Sequence, residues 1–330
     1  MYQSTISFPG LGIGEFTVNA EAISFQIGNT PFSIRWYGIL ICCAMLAAFG
    51  YIVWRAKQAN ISFDDMLDIT LVTIVIAVIG TRLYYVVFDG LSNYIVTEYS
   101  FFVNLKMSLY NLVAIWNGGL AIYGGILFGA ASVLFMSWKK KIPFFRLADA
   151  VTPGLMLAQA IGRWGNFMNG EAFGAETTLP WRMGLCNRNT FFQTIYVHPT
   201  FLYESLWNIL GFTLINVFYK KRKFEGEVGI WYFAWYGLGR TFIELLRTDS
   251  LMLGSIRVSS MLAAIFVAVT VPLLIVLHVK EKKLAAAGMI EEGTLPSIRF
   301  LLTAKVQDEA NETENTAEND SANTEENNNG

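Results

Sequence analysis

Three apolar runs constrain this chain more than any other feature. Residues 36–54, the later part of 107–138, and 258–279 carry no Asp, Glu, Lys or Arg. Each is long enough for the about 20-residue helix that crosses a bilayer. Four further stretches have the right length but contain charge: roughly 66–88 with Arg82, 148–166 with Arg163, 200–219 with Glu204, and 229–247 with Arg240 and Glu244. Composition agrees with a membrane assignment. Charged residues make up 15% of the chain and hydrophobic residues 54%, whereas soluble domains carry about 25% charged residues. The expected fold is an all-α polytopic membrane protein with about seven transmembrane helices.

Basic clusters set the direction of threading. Arg55 and Lys57 follow the first span, Lys139–Lys141 and Arg146 the third, Lys220–Lys223 the fifth, and Lys280, Lys282 and Lys283 the seventh. By the positive-inside rule these connections are cytoplasmic, so the N-terminus lies outside and the C-terminus inside. Four segments follow: an outer N-terminal stretch (1–35), a membrane domain (36–280), a cytoplasmic juxtamembrane piece (281–306) and a tail (307–330). Two long, aromatic-rich outer connections, 89–116 and 167–199, belong to the membrane domain. Eight of the 26 acidic residues lie beyond Lys305, where there is no Lys or Arg. That tail has almost no large apolar residue and is expected to be disordered. No cleavable signal peptide is expected. Cys42, Cys43 and Cys186 make no disulfide framework, and no Cys/His cluster has metal-ligand spacing, so neither metal nor cofactor is expected.

Threading gives each charged residue a depth. Arg82, Arg163 and Glu204 fall near the outer ends of their helices, and Arg240 sits about 10 Å deeper than Arg247. Tyr236, Arg240, Glu244 and Arg247 recur at spacings of four, four and three, which places them on one helical face. An ionisable group in hydrocarbon costs at least about 2.5–3.5 kcal/mol, so such groups face the protein interior or water. Snorkelling accounts as well for Arg82 or Arg247 alone, but poorly for Arg240. Arg82, Arg163, Arg240 and Arg247 outnumber Glu204 and Glu244. A cavity with that surplus attracts an anion, and guanidinium suits phosphate. A phospholipid headgroup is the expected anion.

The densest string is Gly162-Arg-Trp-Gly-Asn-Phe-Met-Asn-Gly-Glu-Ala-Phe-Gly174. Arg163, Asn166, Asn169 and Glu171 gather donors and acceptors where a helix should end, and the glycines allow close backbone approach. The run Gly118-Gly-Leu-Ala-Ile-Tyr-Gly-Gly125 has a plainer reading, since glycines at that spacing let membrane helices pack closely.

These strings resemble those of bacterial prolipoprotein diacylglyceryl transferases. So do Arg35-Trp-Tyr-Gly38, His198-Pro-Thr-Phe-Leu-Tyr-Glu204 and the 236–247 segment, in order along residues 30 to 280. The resemblance implies a seven-helix enzyme of the bacterial cell membrane. Such an enzyme moves the diacylglyceryl group of phosphatidylglycerol to the lipobox cysteine of a preprolipoprotein and releases glycerol 1-phosphate. Its partners are then phosphatidylglycerol, the preprolipoprotein signal segment and membrane lipids, with no nucleic acid. Matched motif by motif, Arg163 and Arg240 bind and activate the phosphate. Tyr37, Asn166, Asn169, Glu171, Gly174, Glu204, Tyr236 and Arg247 complete the substrate site. Glu244 and His198 are candidate bases. The chain departs from the family's pattern at Tyr123, where well-studied members carry a histidine proposed to move a proton; here the hydroxyl is read as orienting. A transporter for an anionic substrate and a non-catalytic scaffold are the competing readings. Transport favours charges at midplane and on both sides, but here they crowd toward one leaflet.

Overall fold

The computed structural model describes residues 3–28, 30–248, 252–253 and 256–304. The acidic tail expected over 307–330 lies outside these residues. Seven helices of 18 residues or more occur among them, one for each expected span: α1 (Trp36–Gln58), α2 (Phe63–Asp89), α4 (Ile122–Lys139), α5 (Phe144–Asn169), α6 (Thr200–Phe218), α7 (Glu227–Leu246) and α8 (Val258–Ala286). Between α2 and α4 runs a shorter α3 (Phe101–Val113), and α9 (Ile298–Thr303) follows α8. By length and hydropathy, α1, α2, α4, α6 and α8 are apolar enough to cross a membrane. The other two long helices, α5 and α7, carry Arg163, Arg240 and Glu244.

The described chain divides into two compact units, residues 1–48 with 151–330, and residues 49–150. In the second unit α2 packs along α4 through small residues. A Cβ on Gly124 would fall 2.2 Å from the Gly80 carbonyl oxygen, and one on Gly125 would fall 2.7 Å from Thr81. The glycine run 118–125 therefore serves helix packing, as its plainer reading expects. Arg82 is buried in this unit. Its Nε donates to Leu112 O, Nη1 to Gly118 O and Gly119 O, and Nη2 to Asn111 O, all at 2.6–3.0 Å. This corrects its expected place among anion-binding arginines: its donors are spent on main-chain carbonyls, fixing the loop that leads into α4.

The first unit adds strands to the helical frame. Within 1–35 lie β1 (Gln3–Phe8), β2 (Ile13–Asn19), β3 (Glu21–Ile27) and β4 (Thr30–Arg35), and within 167–199 lie β5 (Met183–Cys186) and β6 (Ile195–Val197). Two short strands, β7 (Met252–Leu253) and β8 (Ile256–Arg257), pair after α7. A four-stranded sheet runs in the order β2-β1-β5-β6, with Thr5 opposite Cys186 and Ile6 opposite Leu185. Ile6, Val18, Met183, Leu185 and Val197 are buried with Phe201 of α6, and Phe167 and Met168 of α5 pack against them. Each such side chain contributes about 1.5–3 kcal/mol by leaving water, so the sheet clamps the end of α5 and the start of α6.

At the other end of the unit, Phe224, Ile230, Leu277, Leu284, Ile298 and Leu301 form a second core. Part of the expected juxtamembrane piece is thus structured, as the last turns of α8 and as α9.

Between α6 and α7, Trp207 and Trp235 stack with centroids 4.3 Å apart. Trp207 Nε1 donates to Trp235 O and Trp235 Nε1 to Trp207 O, each at 3.0 Å. The indoles lie on glycine. A Cβ on Gly211 would meet Trp235 Nε1 at 2.4 Å, and one on Gly239 would meet Trp207 Nε1 at 2.2 Å. This reciprocal clasp fixes the register of the two helices just below Glu204 and Arg240.

Candidate active site

Three arginines and two glutamates from α5, α6 and the α7 end meet in the first unit. Glu204, one turn into α6, is 5% exposed and Glu244 of α7 is 1% exposed. Arg163 Nη2 approaches Glu204 Oε2 at 2.5 Å. Arg240 spans both carboxylates, with Nη1 2.9 Å from Glu204 Oε1 and Nη2 2.6 Å from Glu244 Oε2. Arg247 completes the group, 3.4 Å from Glu204 Oε1 and 4.0 Å from Glu244 Oε2. Three fixed cations face two carboxylates, so the cluster carries a net charge of +1. Three guanidinium groups bring fifteen N–H donors, far more than four carboxylate oxygens take up. A phosphate fits both the charge and the surplus donors.

The string 162–174 organises one side of this cluster. Arg163 Nη1 donates to Asn166 Oδ1 at 3.5 Å. Asn166 and Asn169 donate their amides to Glu171 Oε1 at 3.2 and 3.0 Å, while Asn169 Oδ1 is buried with no hydrogen-bond partner among the described residues. Gly170 turns the chain at φ +61°, and any side chain there would strike Ser4 Oγ and Asn187 Nδ2. Asn187 donates to both Ser4 Oγ and Gly170 O, which ties the turn to the sheet. Ala172, a non-glycine residue at φ +56°, holds a backbone conformation that is sparsely populated and costly outside glycine. Its carbonyl accepts from Thr200 Oγ1 at 2.5 Å.

Three motifs distant in sequence then join through main chain. Gly174 N donates to His198 O and His198 N to Ala175 O, both at 3.0 Å, and Ala175 N donates to Leu246 O at 2.7 Å. A Cβ on Gly174 would fall 2.7 Å from His198 Cβ and 2.9 Å from Leu246 O, so only glycine allows this approach. The 162–174 string, the start of the 198–204 segment and the end of α7 are one structural element. Tyr37 of α1 lies against α5, since a Cβ on Gly165 would fall 2.6 Å from its ring. Tyr236 stacks on Tyr232, centroids 6.0 Å apart, one and two turns below Arg240.

His198 stands at the mouth of α6, its Nδ1 3.2 Å from the Tyr203 hydroxyl; Tyr203 in turn accepts from Trp181 Nε1 at 2.7 Å. Burial holds the imidazole pKa below its usual 6.5, so the ring is neutral at pH 7. Tyr123, half-buried at the second residue of α4, belongs to the other unit.

Sequence reasoning missed Arg257. Its Nη1 donates to the Glu244 carbonyl oxygen, placing a cation on the C-terminal turn of α7, where the helix dipole favours one. The signal lay just past α7, in the lone basic residue that opens α8. Among the described residues no group of His, Cys, Asp and Glu has the makings of a metal site.

Comparison with known proteins covers the stretch of chain that holds this cluster. A sequence model of the family described as prolipoprotein diacylglyceryl transferase matches residues 22–276. The phosphatidylglycerol–prolipoprotein diacylglyceryl transferase of Streptococcus mutans is 42% identical over 257 residues, covering 77% of this chain and 94% of the relative. Its counterparts in Listeria welshimeri and Streptococcus agalactiae are 39% and 41% identical, over 79% and 77% of this chain and 91% and 94% of their own.

Proposed function

The chain belongs to the prolipoprotein diacylglyceryl transferase family, and from that premise we propose how its residues carry the reaction. It is a membrane transferase that catalyses the first step of lipoprotein maturation, with phosphatidylglycerol and a prolipoprotein as substrates. The observation that carries the residue assignment is the net positive cluster of Arg163, Arg240 and Arg247 around Glu204 and Glu244. The phosphate of phosphatidylglycerol sits on Arg163 and Arg240. The lipobox thiol attacks C3 of the diacylglyceryl group, a C–S bond forms, and the C–O bond to phosphate breaks. The electron pair leaves on the phosphate oxygen, and glycerol 1-phosphate departs. Guanidinium groups aimed at that oxygen stabilise the growing charge in a low-dielectric site.

A thiol of pKa near 8.5 in water must also lose its proton. Of the two candidate bases Glu244 is the less free, because its Oε2 lies 2.6 Å from Arg240 Nη2 and 4.0 Å from Arg247 Nε. His198 is neutral at pH 7 and edges the 174–175 backbone, so it is the better candidate base. Tyr123 keeps an orienting role. Asn166, Asn169 and Glu171 cradle the headgroup on the outer side of the arginines, and Gly174 permits the backbone joint. Tyr37 and Tyr236 line the approach.

Orientation follows from charge and finds support in chain parity. β1 pairs with β5, so the start of the chain and residues 183–186 share one face of the membrane. An even number of crossings must separate them, which α1, α2, α4 and α5 supply. Likewise Ala175 bonds to Leu246, so an even number of crossings separates them too, which α6 and α7 supply. Seven crossings put the two termini on opposite sides, and the basic connections support an outer N-terminus, a cytoplasmic C-terminus and a site toward the outer leaflet. The transporter reading finds no support among the relatives.

The test is direct. The purified protein, given phosphatidylglycerol vesicles and a synthetic lipobox peptide, should raise the peptide's mass by one diacylglyceryl group. A peptide unchanged in mass after prolonged incubation overturns the proposal.

A further inference from the structure

The opposite end of α6 and α7 holds a feature that catalysis does not use. A cleft of about 50 Å³ is lined by Leu214, Ile215, Phe218, Val228 and Trp231, with Arg222 and Glu227 at its polar edge. Arg222 Nη1 donates to Tyr219 O at 3.0 Å, and its guanidinium lies 4.4 Å from the centre of the Tyr219 ring. Its Nε is buried with no hydrogen-bond partner among the described residues. Glu227 makes no ion pair with it among the described residues: that carboxylate accepts from Lys223 N at 2.5 Å and faces His278 Nε2 at 3.2 Å. Lys220, Lys221 and Lys223 flank the arginine in sequence, and Lys221 lies 5.6 Å from the Phe218 ring centre.

We propose that this cleft is a binding site for an anionic phospholipid of the leaflet opposite the active site, with its phosphate on Arg222 and part of an acyl chain between α6 and α7. The distance separates it from catalysis. Arg240 lies thirteen residues beyond Glu227 on α7, about 20 Å at 1.5 Å per residue. The lining argues for lipid over a soluble anion, because a half-buried guanidinium tops a wall of aliphatic and aromatic side chains. Basic pockets between transmembrane helices on the cytoplasmic side recognise acidic headgroups in this way. Trp231, 37% exposed, is the aromatic residue expected at such a boundary. This site rests on the membrane orientation proposed above and holds whichever residue proves to be the base.

Trp231 supplies the readout. The full chain is reconstituted in phosphatidylcholine vesicles containing one-tenth phosphatidylserine brominated on its acyl chains, an anionic lipid that is not the diacylglyceryl donor. A parallel sample carries brominated phosphatidylcholine instead. Subtracting the signal of Trp231→Phe isolates Trp231 from the other tryptophans. Brominated phosphatidylserine should quench Trp231 more strongly than brominated phosphatidylcholine, and Arg222→Gln should weaken the apparent affinity behind that excess about fivefold. Arg222→Lys, which keeps the charge, should retain most of it. Transfer activity reports whether each variant is folded; if Arg222→Gln is inactive, the Lys variant decides. Equal quenching by the two lipids, or an excess unchanged in Arg222→Gln, overturns the site.

Discussion

At the scale of single residues, Glu204 is the pivot, because it accepts from three guanidinium groups that would otherwise repel one another. Glu204→Gln leaves the arginines with one carboxylate among three, and breaking a buried ion pair costs about 3–5 kcal/mol. The thermal midpoint of the purified variant should fall clearly, and an unchanged midpoint would show that Glu204 does not hold the cluster together. Loss of a donor aimed at developing charge costs about 10²–10³ in rate. Arg163→Ala and Arg240→Lys should therefore each lose at least that much turnover while still inserting; the lysine cannot reach Glu204 and Glu244 at once. His198 makes a prediction in pH. Its pKa lies below 6.5 in the fold, so the neutral ring that can accept a proton is present at pH 7 and lost as pH falls. An acid limb in kcat/KM should appear below pH 6.5 and vanish in His198→Gln, whose residual rate is flat. A limb centred above 6.5 would point to another base.

At the scale of elements, the Trp207–Trp235 clasp sets the distance from Glu204 to Arg240. Gly211→Val forces the Trp235 indole aside, an overpacking that costs about 1–3 kcal/mol. Denaturation in detergent should show that loss together with reduced turnover, although Gly211 touches neither charge. The long helices were legible in sequence because about 20 apolar residues leave few alternatives in a bilayer, and even the charged stretches 148–166 and 229–247 became α5 and α7. The strands were not. β1, β5 and β6 are six, four and three residues long, and β1 finds β5 almost 180 residues away, a pairing that no local periodicity announces. The arginine–glutamate cluster was readable from helical spacing on α7 and from depth on α5 and α6. The fate of Arg82 was not, since its partners are carbonyl oxygens, which every residue has. Arg257 was passed over because it lies beyond the motif whose helix it caps.

At the scale of the whole molecule, the β1–β5 pairing predicts a covalent bond. Thr5 and Cys186 are direct partners, and opposed residues in an antiparallel pair have Cα atoms about 4.5–5.5 Å apart, within disulfide reach. Thr5→Cys should cross-link to Cys186 under mild oxidation and run faster on a non-reducing gel. Adding Cys186→Ser should abolish the shift, and no shift in Thr5→Cys alone would refute the pairing and the parity argument built on it. The same pairing orders biogenesis. β1 and β2 adjoin in sequence and can pair as soon as both are made, but β5 follows only after α1, α2, α3, α4 and α5 have been synthesised. The β1–β2 hairpin therefore keeps one edge open until the chain has passed α5, and the seam between β1 and β5 closes only then.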